Sequence, residues 1–344
     1  MSKPPLRALA VILFAGLALG LAFRLGTAPP RHRSEKRSDL IVHEMLATGH
    51  WFIPTLGGVA RLQKPPLYYW AAAAAGQLAG GASATTLRSV SALAALGLAA
   101  AVFAWGARAL EPATGLAGAA ALAATAQFWI SARLGTADML LVLFTSAALF
   151  AFERLERTRE RRYWPWLAAF AVLAFLTKAT AAVVDVAVPV VAWLALERRL
   201  ALALRPRAVV WLAVTAAASL AWYAAALWLV PDAPALLRTF FFVPLGAGHS
   251  DLASDHYRPV WWYLPRFLGA AAPAVLLLPL VVRDGVRTHL WRDAPPLRFA
   301  AIAALSLFVV WSVIPQKGRH YLLPILPFYA LLAGASAVRW RPRA

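Results

Sequence analysis

ERLERTRERRYWPWLAAFAVLAFLTKATAAVVDVAVPVVAWLALERR, residues 153–199, carries the pattern that decides the fold. A block with five arginines leads into an apolar run from Trp164 to Leu176. Lys178 interrupts it, and a second run from Ala179 to Leu196 returns to arginines. Runs of this length approach the roughly 20 apolar residues that cross a bilayer. Basic blocks beside span ends stay cytoplasmic. The stretch therefore reads as an outward span, a turn at Lys178 on the outer face, and an inward span.

The same alternation continues in both directions. Towards the N-terminus, Lys3 and Arg7 precede an apolar run from Ala8 to Leu25, read as a signal anchor with the N-terminus inside. Its length exceeds the apolar core of a cleaved signal peptide. Val90–Ala107 runs inward, Gly115–Ile130 outward, and the run from Met139 inward to the arginine block. Beyond Arg207, Val209–Val230 exits, Val260–Val282 enters, Phe299–Ile314 exits, and Tyr321–Val338 returns. The expected architecture is an all-α polytopic membrane protein of about ten spans, a single domain over 1–344, with no soluble C-terminal domain. Composition agrees: 61% of the 344 residues are hydrophobic and 14% charged, against about 45–50% and 25% in soluble domains.

Two outer loops stand out, at 31–70 and 231–258. The first, RHRSEKRSDLIVHEMLATGHWFIPTLGGVARLQKPPLYYW, is the longest interval that does not pack into lipid. Asp39 as a helix cap, Ile41, Met45 and Leu46 at helical spacing, and Gly49 as a stop predict a short interfacial helix. Ser34, Glu35 and Arg37 then lie just before it. Pro66–Leu78 is too short to span and is read as re-entrant or interfacial.

The net charge of +19 belongs to topology and anionic lipid rather than to nucleic acid, because the bases cluster between apolar runs. With no cysteine in the chain, disulfides, thiolate metal sites and cysteine nucleophiles are excluded. No phosphate-binding glycine loop follows a strand. His43, His50, His249, His256 and His320 form no metal-ligand pair, so no metal ligand is assigned. A divalent metal stays open as a cofactor.

With this topology the outer face collects Glu35, Arg37, Lys64, Asp138, Lys178, Arg238, His256, Arg258, Lys317, Arg319, His320 and Tyr321. Cations can hold phosphate oxygens, and a carboxylate can take a proton from an attacking hydroxyl. Lys178, between two apolar runs, calls for a partner. Asp185, inside a span, is either a partner for a base or an acid kept neutral.

The order of motifs resembles a known family. SEKRSDLIVHEMLATGHWFIPTLGG followed by LQKPPLYYW is similar to the first outer loop of the bacterial lipid-linked-sugar glycosyltransferases of the GT-C superfamily. These are the relatives of protein O-mannosyltransferases and of the lipid A aminoarabinose transferase. RLGTADMLLVLF, FLTKAT, HYRPVWWYLP and IPQKGRHYLLPILP resemble further family segments in the same order. The resemblance implies inverting transfer of a sugar from a polyprenyl-phosphate carrier to a lipid, glycan or protein acceptor. It places the chain in the bacterial cytoplasmic membrane, with the active site facing the periplasm. It also implies Glu35 and Asp138 as catalytic acids. Lys64, Lys178, Lys317, Arg258, Arg319 and Tyr321 would bind the donor phosphate, with Ser34 and Arg37 as support. The chain departs from the pattern at Ser34, where the family has its first acid, at Gln63, and at Ala179–Thr180, where a Gly-Pro is usual. The competing readings are a lipid-linked-sugar flippase, which calls for inverted repeats and broken helices, and an inactive binding relative.

Overall fold

The computed structural model describes residues 5–30, 32–242, 258–287 and 294–340. His249, His256 and most of the second outer loop lie outside the described residues.

Helices dominate. The first helix is α1 (Leu6–Ala22), apolar overall, and α2 (Arg33–Thr48) follows it. A hairpin of β1 (Thr55–Leu56) and β2 (Val59–Ala60) leads to α3 (Leu67–Leu78). Then come α4 (Ala84–Ala109), α5 (Pro112–Ala123), α6 (Ala126–Ala132), α7 (Asp138–Thr158) and α8 (Tyr163–Leu196). The rest comprises α9 (Pro206–Leu229), α10 (Ala233–Phe242), α11 (Tyr263–Ala270), α12 (Leu278–Arg287), α13 (Pro295–Val313) and α14 (Leu326–Arg339). Among the described residues, five helices, counting 319–339 as one, are long and apolar enough to cross a membrane.

One of those five is itself a pair. Straight, the 34 residues of α8 would hold their ends about 50 Å apart. Instead both ends meet the last turns of α7: Arg154 donates to the Tyr163 hydroxyl at 3.3 Å, and Arg199 to Glu156 at 3.4 Å. The non-helical residue is Lys178 (φ −160°, ψ 81°), whose ammonium reaches Asp138 at the opposite end of α7. So α8 is a helical hairpin with Lys178 at its tip, as the interrupted apolar run implies.

Two other spans are broken where the sequence reads as continuous. The gap between α5 and α6 faces the gap after α11, and the Ala126 N–H donates to the Ala272 carbonyl at 2.7 Å. That bond joins the two breaks, and other freed N–H groups pair within their own turns, as Thr125 to Leu122 and Ala272 to Gly269. Broken helices thus occur here, contrary to the unbroken spans expected.

Small residues set the centre of the bundle. A Cβ at Gly334 of α14 would lie 2.4 Å from the Gly118 backbone nitrogen of α5, and one at Gly115 would lie 2.4 Å from the Phe103 carbonyl oxygen of α4. Backbones this close gain dispersion contacts that larger side chains would prevent. The window 319–339 is 83% buried and that of α9 only 17%, which puts α14 at the core and α9 at the lipid-facing edge. Gly334→Leu is therefore expected to cost about 1–3 kcal/mol or more. The check is a fall of several degrees in the unfolding midpoint in detergent, against no change for the lipid-facing Leu212→Ala.

Candidate active site

The site is built at one end of the bundle, and its foundation is α2. The helix starts at Arg33 with His32 as N-cap, so Asp39 lies inside it rather than capping it. Ser34, Glu35 and Arg37 accordingly belong to its first turns. Gly49 ends it in the left-handed conformation (φ 73°), the stop the sequence implies. The helix extends further back than its apolar spacing suggests because Glu35 packs as a core residue. The buried face is Glu35, Ser38, Ile41, Val42 and Met45.

Glu35 is 1% exposed, and its two oxygens meet Arg88 of α4, Oε1 to Nε at 2.7 Å and Oε2 to Nη2 at 3.2 Å. Oε1 also accepts from the Gly135 backbone N–H at 2.8 Å. Arg88 in turn donates to the carbonyls of Leu25 and Ala28. This carboxylate therefore ties three segments together, and the structure departs from the expectation of a carboxylate open to substrate. Arg88, missed in the sequence, is the partner that commits it. At the next corner Arg133 donates to the carbonyls of Gly20, Leu21 and Phe23, capping α1.

Asp138, in the first turn of α7, is placed differently. It accepts from Lys178 at 3.0 Å and from the Thr136 hydroxyl at 3.1 Å. The pair keeps access to solvent, with side chains 16% and 21% exposed. Lys64 lies within electrostatic reach of Lys178, Asp138, Arg61 and Arg37. Burial and the neighbouring Lys178 lower the Lys64 pKa from 10.5 to about 8, against the pull of Asp138. Arg37 is held below its ordinary value by burial and by Arg61 and Arg33. Among the described residues, Lys178 and Lys64 therefore act on the Asp138 carboxylate, and Arg61 and Arg37 lie within electrostatic reach of Lys64. His320 stands beside them, facing Lys178, Asp138, Lys64 and His32. Such a set has a vacancy for negative charge.

An aromatic wall backs the cluster. The Lys178 ammonium sits 5.2 Å from the Tyr321 ring centroid, within cation–π range. Tyr321 stacks on Trp311 with centroids 4.2 Å apart and planes 7° from parallel. The Trp311 indole donates to Asp185 at 2.9 Å. Asp185 thus has a tryptophan partner, and Trp311 went unremarked in the sequence.

Lys317 does not join the anion cluster as expected. The Lys317 ammonium is 4% exposed and donates to the carbonyls of Ser312 at 2.5 Å and Ile314 at 2.6 Å, capping the end of α13. Lys317 is therefore a structural cap in this arrangement. Its predicted phosphate contact gives way to orphan helix-end carbonyls, which need donors more than solvent does. Arg319 is exposed. Arg258 is exposed too, and its backbone N–H donates to the Pro315 carbonyl at 3.2 Å. Arg238 lies exposed on α10.

The hairpin β1–β2 is a further feature the all-helical reading missed. Gly57 (φ 65°) and Gly58 (φ 75°) make its turn, which favours two glycines because both φ are positive. The Glu44 carboxylate accepts from both turn N–H groups, at 3.0 and 2.6 Å. That contact fastens the loop carrying Arg61 and Lys64 onto α2. The signal was legible as a Gly-Gly pair between Thr-Leu and Val-Ala.

Comparison with known proteins gives a consistent picture. Residues 63–228 match the dolichyl-phosphate-mannose-protein mannosyltransferase family. The undecaprenyl phosphate-alpha-4-amino-4-deoxy-L-arabinose arabinosyl transferase of Aeromonas salmonicida is 30% identical over 317 residues, 88% of this chain and 55% of that protein. Its namesake in Shewanella sediminis is 28% identical over 318 residues, 87% of this chain and 54% of its own length. The chain spans about half the length of the curated relatives it matches. Among solved structures, ArnT from Cupriavidus metallidurans bound to undecaprenyl phosphate superposes with TM-score 0.81 at 23% identity, over 97% of this chain and 61% of that one. An archaeal oligosaccharyltransferase from Archaeoglobus fulgidus follows with TM-score 0.59 at 13% identity, over 97% and 50%. At these identities the structural likeness is one of fold. In sequence and fold together, the chain is a multi-pass membrane protein similar, over residues 63–228, to the dolichyl-phosphate-mannose-protein mannosyltransferase family and, over most of its length, to the aminoarabinose transferases.

Proposed function

We propose that the chain is a single transmembrane glycosyltransferase domain. It moves a sugar from a polyprenyl-phosphate carrier to an acceptor at the outer face of the bacterial cytoplasmic membrane. The observation that carries this reading is Asp138, paired with Lys178 and within electrostatic reach of Lys64, which Arg61 and Arg37 adjoin in turn. The relatives' names supply the donor class, an undecaprenyl-phosphate-linked sugar.

The chemistry divides between the acid and the cations. The donor phosphate competes with Asp138 for the Lys178 ammonium, so its arrival loosens the ion pair and frees the carboxylate. The bond between the anomeric carbon and the phosphate oxygen then breaks, and its electron pair stays on the phosphate, where Lys64 and Lys178 stabilise it. The acceptor oxygen bonds to the anomeric carbon from the opposite side, and its proton passes to Asp138. Glu35, already committed to Arg88, keeps the Gly135 turn in front of Asp138 in position. Ser34 and Arg37 lie on the same turns of α2, and Tyr321 holds Lys178 from the far side.

The test is transfer of radiolabelled sugar from a panel of polyprenyl-phosphate donors to a membrane extract by the purified full chain. The expected result is sugar incorporation matched by release of polyprenyl phosphate. No turnover with any donor, from protein with a cooperative unfolding transition, would leave the inactive binding relative as the reading.

Lys64 makes the binding step pH-dependent. Its lowered pKa means that the unfolded chain binds more protons between pH 8 and 10.5, so stability from this group rises across that window and its cost is complete below pH 8. For binding the sign reverses, because a phosphate needs the ammonium. Affinity for undecaprenyl phosphate should fall about tenfold from pH 7 to pH 9, read by equilibrium binding in detergent. Lys64→Met should bind more weakly at pH 7 and show little change to pH 9.

A further inference from the structure

The second polar cluster lies at the other end of α7, about 22 Å from Asp138 along the helix. There a cavity of about 310 Å³ opens between the ends of α7, α8 and α13. Its lining includes four arginines, Arg157, Arg159, Arg199 and Arg298, and three glutamates. Nothing in the proposed transfer reaction uses it.

Its hydrogen-bond balance is one-sided. Both oxygens of Glu153 are taken, by Arg157 and by the Trp105 indole. Both oxygens of Glu156 are taken by Arg159 and Arg199, and both of Glu197 lie within 3.2 Å of one Arg298 nitrogen. Four guanidinium forks carry far more N–H groups than these carboxylates accept. Two further donors lining the cavity are buried without an acceptor among the described residues, the Trp193 indole N–H and the Arg298 Nε–H. Trp193 is itself 6% exposed. A buried donor left unmade costs about 1–3 kcal/mol. A cavity of this size and make-up lacks an acceptor with several oxygens and a negative charge.

We infer that this cavity is a binding site for a phosphate-bearing anion, held by the Trp193 indole and the Arg298, Arg199 and Arg157 guanidiniums. Arginine forks match phosphate oxygens. The position, at span ends beside the arginine block 153–162, is where phospholipid headgroups stand. A lipid headgroup and free phosphate share this chemistry, and the site accepts either by the same donors.

The experiment follows the unfolding midpoint of the full chain in zwitterionic detergent. One titration uses short-chain phosphatidylglycerol and a second uses inorganic phosphate. A saturable rise in the midpoint is expected. Trp193→Phe, which keeps the ring and removes the donor, should raise the half-saturating concentration about fivefold. Arg298→Met with Glu197→Gln, which leaves no carboxylate unpaired, should raise it more than tenfold. Arg207→Gln, an exposed base outside the cavity, should leave it unchanged and so separates the site from general charge attraction. A rise with the lipid alone identifies a headgroup site; a rise with both identifies a phosphate site indifferent to its carrier. An unresponsive wild type overturns the inference, and so does a response the Trp193 and Arg298 variants share undiminished. Neither failure bears on sugar transfer, which is read separately.

Discussion

Asparagine at Asp138 should lower sugar transfer by about 10²–10⁴-fold, the range of a lost general base, while binding of undecaprenyl phosphate holds or tightens. The binding half distinguishes this residue from a merely structural one. Asp138 and the donor phosphate compete for Lys178, so removing the carboxylate charge makes the ammonium more available to the phosphate. Lys178→Met should do the reverse and weaken binding. Asparagine is neutral, but its amide oxygen still accepts from the Lys178 ammonium, and its NH2 takes the place of the second oxygen by donating to the Thr136 hydroxyl. Turnover in Asp138→Asn within tenfold of wild type would remove Asp138 from the chemistry and leave the anion cluster standing.

The largest effect on folding is expected from Arg88→Met. Its guanidinium is 8% exposed, its partner Glu35 1%, and removing one member of such a pair typically costs about 3–5 kcal/mol because the other stays charged and dry. Here the loss is greater in kind, since Arg88 also holds the carbonyls of Leu25 and Ala28. The segment after α1, the first turn of α2 and the Gly135 turn would separate together. The variant should fail to give a monodisperse peak in detergent, or unfold far below wild type. Glu35→Gln, which keeps an acceptor for Arg88, should unfold between the two. A Glu35→Gln variant with wild-type stability and abolished transfer would return Glu35 to the chemistry.

What the sequence revealed depended on whether the deciding contact was local. Lys178 between two apolar runs announced the tip of a hairpin, because a charge and a span cannot occupy the same place in lipid. The start of α2 was misplaced because the periodicity was counted over apolar residues alone, and Glu35 occupies a core position as an acid. Its partner lies 53 residues away, where Arg88 looks like any base near a span end. Asp185 left two readings open, and its contact is a tryptophan from another helix that neither reading named. Lys317 was assigned by its neighbours in sequence, whereas its ammonium answers to helix-end carbonyls. The broken spans were hidden because the bond that joins them links Ala126 and Ala272, 146 positions apart.

The hairpin of α8 also constrains how the protein is made. As the chain leaves the ribosome, both arms can enter the bilayer together, carrying only Lys178 across as polar cargo. Asp185 enters with them, but Trp311, which donates to it, is encoded 126 residues later. At about 5–20 residues per second, that leaves an acid in the bilayer for about 6 to 25 s before its donor is synthesised. During that interval the hairpin is inserted but not locked. Its contact with α13 waits for the last third of the chain, so the hairpin that carries Lys178 is made well before the partner of its buried acid.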